Sequence, residues 1–131
     1  MRILIAEDDF ASRKFIFKLL LQFGESDMTV DGIEAVEAFM IGHDIGKPYD
    51  LICLDIMMPR IDGIKALETI RNFEKQKKIG QSDKCKVIMI SALNETEVVF
   101  DSFNTESEAY VTKPINIEKF EDAMKKLGLI K

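Results

Sequence analysis

Short apolar runs alternate along the chain with segments of helical period. Five segments read as strands: Arg2–Ala6, Met28–Val30, Leu51–Leu54, Lys86–Ile90 and Ala109–Val111. Three of them contain near-continuous apolar runs, ILIA, LICL and VIMI. Strands of that kind are buried on both faces, as in a parallel sheet covered by helices. Between the strands, Ile16, Leu19, Leu20 and Phe23 fall at i, i+3, i+4 and i+7, and Phe120, Ala123, Met124 and Leu127 repeat the spacing. Each set marks one face of a helix. Ala66, Leu67 and Ile70 make a shorter stripe, and Val99, Phe100 and Phe103 a less tidy one. Asp31 with Glu34, and Asn94 with Glu97, have the spacing of a capping box, and Asn116 suits the cap of the last helix. The alternation predicts an α/β fold: a doubly wound, five-stranded parallel sheet flanked by five helices. The stretches Gly42–Pro48 and Phe73–Lys84 read as loops within one domain, because a strand follows each.

Composition narrows the picture. With 131 residues, 47% of them apolar, the chain suits a single domain over residues 1–131 with a core that needs no disulfide or structural metal. No output domain is expected within it. Cys53 lies inside an apolar run and Cys85 near a strand start, without metal-type spacing. Both are expected as reduced thiols, although a disulfide between them stays open. The net charge of −5 argues against sequence-independent nucleic-acid binding, which needs a basic face. Met1 is followed by a short strand and then by acids, not by a signal peptide. The apolar runs are too short to span a bilayer. The expected setting is cytoplasmic, with no membrane partner.

The polar residues that end the strands carry the chemistry. Glu7, Asp8 and Asp9 follow the first strand, Asp55 ends the third, Ser91 the fourth, and Lys113 follows the fifth. In an open α/β sheet these carboxyl ends share the edge where ligands bind. Crowded carboxylates either hold a proton or bind a cation. A few hard oxygens suit Mg²⁺, which keeps waters and uses phosphate oxygens. A carboxylate can also be a nucleophile toward phosphorus, and phosphoryl transfer needs positioning and charge neutralisation above all. Taken singly, each residue has a plainer reading. The acids could be a solvated helix N-terminus, Asp55 a turn cap, Ser91 a strand-end hydroxyl, and Lys113 a solvated lysine. Tyr110 alone would be a half-buried packing residue, and His43 an exposed loop residue.

Four segments in order, ILIAEDD, LICLDIMMPRIDG, VIMISA and YVTKP, make the whole chain resemble the receiver domains of two-component response regulators, most of all the stand-alone, CheY-like kind. The resemblance implies a flavodoxin-like strand order 2-1-3-4-5. It implies that Asp55 is the phosphoacceptor, accepting a phosphoryl group from a histidine kinase or a phosphotransfer protein. Asp8, Asp55 and the Met57 main-chain carbonyl are then ligands of Mg²⁺, for which Mn²⁺ can substitute, and Glu7 holds the metal through water. Ser91 and Lys113 contact the phosphoryl group, and Tyr110 reorients when Ser91 moves. The Lys113–Pro114 bond is expected to be cis. Asp9 does not carry over as a ligand. The output is expected on the face of the fourth helix, fifth strand and fifth helix, toward a partner the sequence does not name. Met57 and Leu93 flank the path of the hydrolytic water, and their apolar side chains imply slow dephosphorylation. Two departures stand out: Ser where Thr is commoner at position 91, and a longer, more charged loop before the fourth strand.

Other functions fit less well. A phosphohydrolase with an Asp nucleophile usually carries a second Asp two residues on, where Met57 stands. A module that has lost phosphorylation would not keep Asp8, Asp55, Ser91 and Lys113 together. A flavin-binding domain needs a phosphate-cradling loop after the first strand, where acids stand instead. The chain is therefore expected to be a switch that catalyses only its own phosphorylation and slow dephosphorylation. It would be either a single-domain regulator or a receiver excised from a hybrid kinase or larger regulator.

Overall fold

In the computed structural model of the chain, residues 1–92 and 107–131 are described. The strands are β1 (Arg2–Ala6), β2 (Glu25–Thr29), β3 (Leu51–Asp55), β4 (Lys86–Ser91) and β5 (Glu108–Thr112). They form one parallel sheet in the order β2-β1-β3-β4-β5. Among the described residues there are four α-helices: α1 (Phe10–Leu20), α2 (Gly32–Asp44), α3 (Gly63–Gln76) and a C-terminal helix (Ile117–Lys126). The expected fourth helix, with its Asn94–Glu97 cap and Val99, Phe100 and Phe103, lies outside the described residues, as does Leu93.

The alternation of side chains along each strand divides the core into two layers. Leu4, Ala6, Ile52, Leu54, Val87 and Met89 point to one face and pack with Ala35, Phe39, Leu67 and Ile70 of α2 and α3. Ile3, Ile5, Leu51, Cys53, Ile88 and Ile90 point to the other and pack with Ile16 and Leu20 of α1 and Phe120 and Met124 of the C-terminal helix. The continuous apolar runs thus feed both layers at once. The helical stripes are buried as their spacing requires, with Phe23 only partly so.

The caps follow short polar side chains. Asp9 Oδ2 accepts from Ser12 N at 2.8 Å, Asp31 Oδ1 from Glu34 N at 2.8 Å, Asp62 Oδ1 from Lys65 N at 2.8 Å, and Asn116 Oδ1 from Lys119 N at 3.0 Å. The Asp31–Glu34 box is displaced, since Glu34 Oε1 accepts from Val30 N rather than from the cap residue's own amide.

Several local expectations change. β2 begins at Glu25, ahead of Met28, and leaves Met28 exposed. It is an edge strand paired only to β1, so its sequence carries little apolar signal. α2 runs to Asp44, through the start of the expected Gly42–Pro48 loop, and α3 runs to Gln76. His43 is consequently a half-buried helix residue. Its ring stands edge-on to Phe39 at 4.9 Å and to Phe73 at 5.3 Å. Cys53 and Cys85 are both buried and free, so the disulfide does not form. Burial pushes both thiols up, away from reactivity.

Candidate functional site

The site forms where β1, β3, β4 and β5 end. Ile56 N donates to Ile90 O at 2.9 Å, and Lys113 N donates to Ser91 O at 2.8 Å, so the strand tips are stitched side by side. Glu7 N donates to Thr29 O at 3.1 Å, which extends the β1–β2 ladder into the acidic turn. Arg13 on α1 reaches back to the same turn, donating to Glu7 O at 2.9 Å and to Asp8 O at 3.3 Å.

Glu7, Asp8 and Asp55 each bring a carboxylate oxygen within 4.8 Å of the others. Glu7 and Asp55 are buried, and Asp8 faces solvent. Lys113 Nζ bridges the buried pair, 3.0 Å from Asp55 Oδ2 and 2.7 Å from Glu7 Oε1. The Asp55 contact is a hydrogen bond. The Glu7 contact is an ion pair poorly aligned for one, and Glu7 Oε2 has no hydrogen-bond partner among the described residues. Asp55 Oδ1 accepts from Met57 N at 3.1 Å, an Asx-type turn that aims the carboxylate back over its own loop. Ser91 Oγ is buried and also lacks a partner among the described residues. The Lys113–Pro114 peptide bond is cis.

The electrostatics record the crowding. Burial raises the Glu7 carboxyl to about 8, and the neighbouring Asp55 carboxyl adds to the rise against the pull of Lys113. For Lys113, burial works to lower the ammonium, but its contacts with Glu7 and Asp55 outweigh that and raise it. An ammonium and one retained proton therefore balance carboxylates that repel each other. A divalent cation suits the same place. The donor set is all hard oxygen, the oxygens lie close enough to share one ion, and a buried carboxylate oxygen is left without a partner.

Glu7, Asp8, Asp55, Ser91 and Lys113 thus meet at one edge. Met57 follows Asp55, with its side chain turned to solvent. Tyr110 lies on β5, half-buried against the α2–α3 layer. Met89 pairs with Tyr110 and Ser91 with Thr112, so by the period of two Ser91 and Tyr110 share a face of the sheet. Asp9 stands apart as the α1 cap, its carboxyl held low by the Ser12 amide.

Two glycines shape the site without offering it a side chain. A Cβ on Gly63 would lie 2.4 Å from Asp55 O, and one on Gly32 would lie 2.3 Å from Ile61 O. Gly63 N also donates to Ile56 O at 2.9 Å. The loop after Asp55 therefore folds back against the start of α3 and rests on the start of α2. The signal was present in the run IDG ahead of the Ala66–Ile70 stripe, but nothing in sequence spacing discloses a close approach. Gly63→Ala is expected to cost roughly 1–3 kcal/mol, the usual range for an overpacked site, and to weaken cation binding as Asp55 shifts. Gly80→Ala, where a Cβ meets nothing within 4 Å, is the control. Urea unfolding of both variants checks this, and equal midpoints would contradict it.

The family described as response regulator receiver domain matches residues 3–125. The chain is 33% identical over 120 residues to the chemotaxis protein CheY of Treponema pallidum, covering 90% of this chain and 76% of that protein. It is 29% identical over 128 residues to hybrid signal transduction histidine kinase K of Dictyostelium discoideum, covering 95% of this chain and 10% of that protein. Among solved structures it is similar to a chain of the CheX–CheY–BeF3–Mg²⁺ complex from Borrelia burgdorferi. There the identity is 28% and the TM-score 0.79, with 100% of this chain and 90% of that chain covered.

Proposed function

This chain belongs to the response regulator receiver family, and from that premise we propose that Asp55 accepts a phosphoryl group from a histidine kinase or phosphotransfer protein. Receiver domains are phosphoacceptor switches rather than enzymes in their own right. The observation that carries the proposal is the cluster of Glu7, Asp8 and Asp55 oxygens with Lys113 between the two buried carboxylates.

The proposed roles follow from position. An Asp55 carboxylate oxygen attacks phosphorus, the P–O bond forms, and the donor leaves with the electron pair of the bond that breaks. Asp8, Asp55 and the Met57 carbonyl would hold Mg²⁺, or Mn²⁺ in its place, with Glu7 acting through water. The bound cation would neutralise charge on the phosphoryl oxygens. Lys113, already beside Asp55 Oδ2, supplies the second positive charge. The buried Ser91 hydroxyl is a donor with no competing partner among the described residues, suited to a phosphoryl oxygen. Movement of Ser91 would leave room on the face it shares with Tyr110, and this supports an output surface that includes β5. A ligand shifts such an equilibrium only by binding one state better than the other. Apolar Met57 offers no base to a hydrolytic water, which supports a long-lived phosphorylated form.

The relatives support partners of two kinds. The Borrelia relative is bound to CheX, and the Dictyostelium relative is a hybrid histidine kinase of which this chain spans 10%. The second supports the alternative that the chain is one receiver of a larger regulator. Adding Mg²⁺ with beryllofluoride, a phosphoryl mimic, tests the reading by amide NMR. Shifts are expected at Asp55, Ser91, Tyr110 and Lys113. A spectrum unchanged at those residues would overturn the proposed site.

Cation binding should also depend on pH. Glu7 is raised to about 8, so its acid form predominates in the folded protein at neutral pH, and a cation favours the ionised form. Mg²⁺ binding near pH 7 should therefore release protons, and affinity should climb from about pH 6 to about pH 8 and then level. Without cation the sign for stability is the reverse. Between the ordinary carboxyl value and about 8, the folded state holds the extra proton, so stability falls as pH rises through that window. Calorimetry in buffers of different ionisation enthalpy measures the proton release. A pH-independent affinity with no proton release would contradict this account of Glu7.

A further inference from the structure

At the amino ends of the strands, away from the acidic edge, the chain carries a second concavity. β3 and β4 separate the two places by five residues, roughly 16 Å at the rise of an extended strand. The cleft has a volume of about 570 Å³, within the range of about 300–1,000 Å³ usual for small-molecule sites. It lies between the entry to β3 and the connection from α3 to β4, the stretch that departs in length and charge from the family pattern.

Its charge runs against that of the chain. Lys77, Lys78, Lys84 and Lys86 line it, opposed by Asp50 and Asp83. Four cations against two anions leave an excess of two positive charges, where the whole chain carries −5. Asp50 is already engaged, accepting from Arg2 N at 2.8 Å. Among the described residues none of the four lysines is in an ion pair. Lys77 contributes only a contact over the Phe73 ring, at 5.7 Å. Like charges gathered in a concave place raise the local concentration of anions. Pro48, Ile79 and Leu129 add an apolar wall, and His43 a ring.

We propose that this cleft binds a small organic phosphate, with two or more phosphate charges on the lysines and an apolar body against Pro48, Ile79 and Leu129. Lysine is a point-charge binder of phosphate, and a flexible ring of four accommodates more than one phosphate group. A nucleic-acid backbone needs a longer basic track than one cleft on an acidic chain provides. Asp50 and Asp83 interrupt the patch at the scale of an extended acidic peptide. The site is independent of phosphorylation at Asp55.

Amide NMR with ADP as the probe, in EDTA, tests the proposal without engaging the acidic edge through a cation. Shifts are expected at His43 and across residues 77–86, weakening as salt is added, with none at Ser91 or Lys113. Lys78→Glu with Lys84→Glu should lower ADP affinity at least about tenfold while the thermal midpoint stays unchanged. Asp55→Asn should bind ADP as the unaltered chain does. Adenosine, which lacks phosphate, should not bind. Absence of shifts at millimolar ADP, equal binding of adenosine, or full affinity in the double variant would overturn the proposal. None of those outcomes bears on the Asp55 reading.

Discussion

Arg71→Ala is expected to destabilise the fold by about 3–5 kcal/mol, the range for removing one partner of a buried ion pair. Arg71 on α3 donates to Glu74 Oε1 at 2.7 Å and to Cys85 O at 2.8 Å through one nitrogen. Through the other it donates to Glu108 Oε2 at 2.5 Å and to Ser107 O at 3.3 Å. Glu74 is 1% exposed and Glu108 6%. Glu74 Oε2 in turn accepts from Cys85 N at 2.8 Å. One guanidinium therefore ties α3 to the starts of β4 and β5. Without it, two desolvated carboxylates and two carbonyls lose a charged donor together. Arg71→Lys should recover only part of the loss, because an ammonium cannot match a forked, planar contact set. Lys65→Ala is the contrast. Its pair with Glu68 is 65% and 48% exposed, and such surface pairs contribute about 0–1 kcal/mol. Urea unfolding of the three variants measures the difference. An Arg71→Ala loss no larger than that of Lys65→Ala would show that the network contributes nothing net.

That network was illegible in the sequence for a physical reason. Arg71 and Glu74 stand at i, i+3 on a helix, the spacing of an ordinary surface pair. Only the return of the chain to Glu108, 37 residues on, converts them into a buried cluster. The same limit applied to β2, whose edge position leaves no apolar run to read, and to His43, which tertiary packing against Phe73 turned from a loop residue into a half-buried one. What local pattern could specify did appear. The runs ILIA, LICL and VIMI became the central strands, and the Ile16–Leu20 and Phe120–Leu127 stripes became buried helix faces.

The candidate site was legible because topology did most of the assembly. Once strands lie parallel, residues at their carboxyl ends must meet, whatever their distance in sequence. Glu7, Asp55, Ser91 and Lys113 needed no further information to converge. What the pattern could not reveal was how the site is held. The close approaches of Gly63 and Gly32, the reach of Arg13 to the Glu7 and Asp8 carbonyls, and the Lys113 bridge between two carboxylates all depend on atomic distances.

The second large effect concerns the chemistry itself. Asp55→Asn should abolish phosphoryl acceptance outright. An amide oxygen is a far weaker nucleophile than a carboxylate, and the change also removes one of the three clustered acids. Asp8→Asn should slow acceptance without abolishing it, because it removes a cation ligand and leaves the nucleophile. The fold should survive both changes. Asp8 is exposed, and an Asn at 55 keeps an oxygen for the Met57 amide. The most direct measurement is the intact mass of the protein after incubation with Mg²⁺ and a small phosphodonor such as acetyl phosphate. A gain of one phosphoryl group is expected in the unaltered chain, lost when EDTA replaces Mg²⁺ and absent in Asp55→Asn. No gain in the unaltered chain, or an undiminished gain in Asp55→Asn, would contradict it.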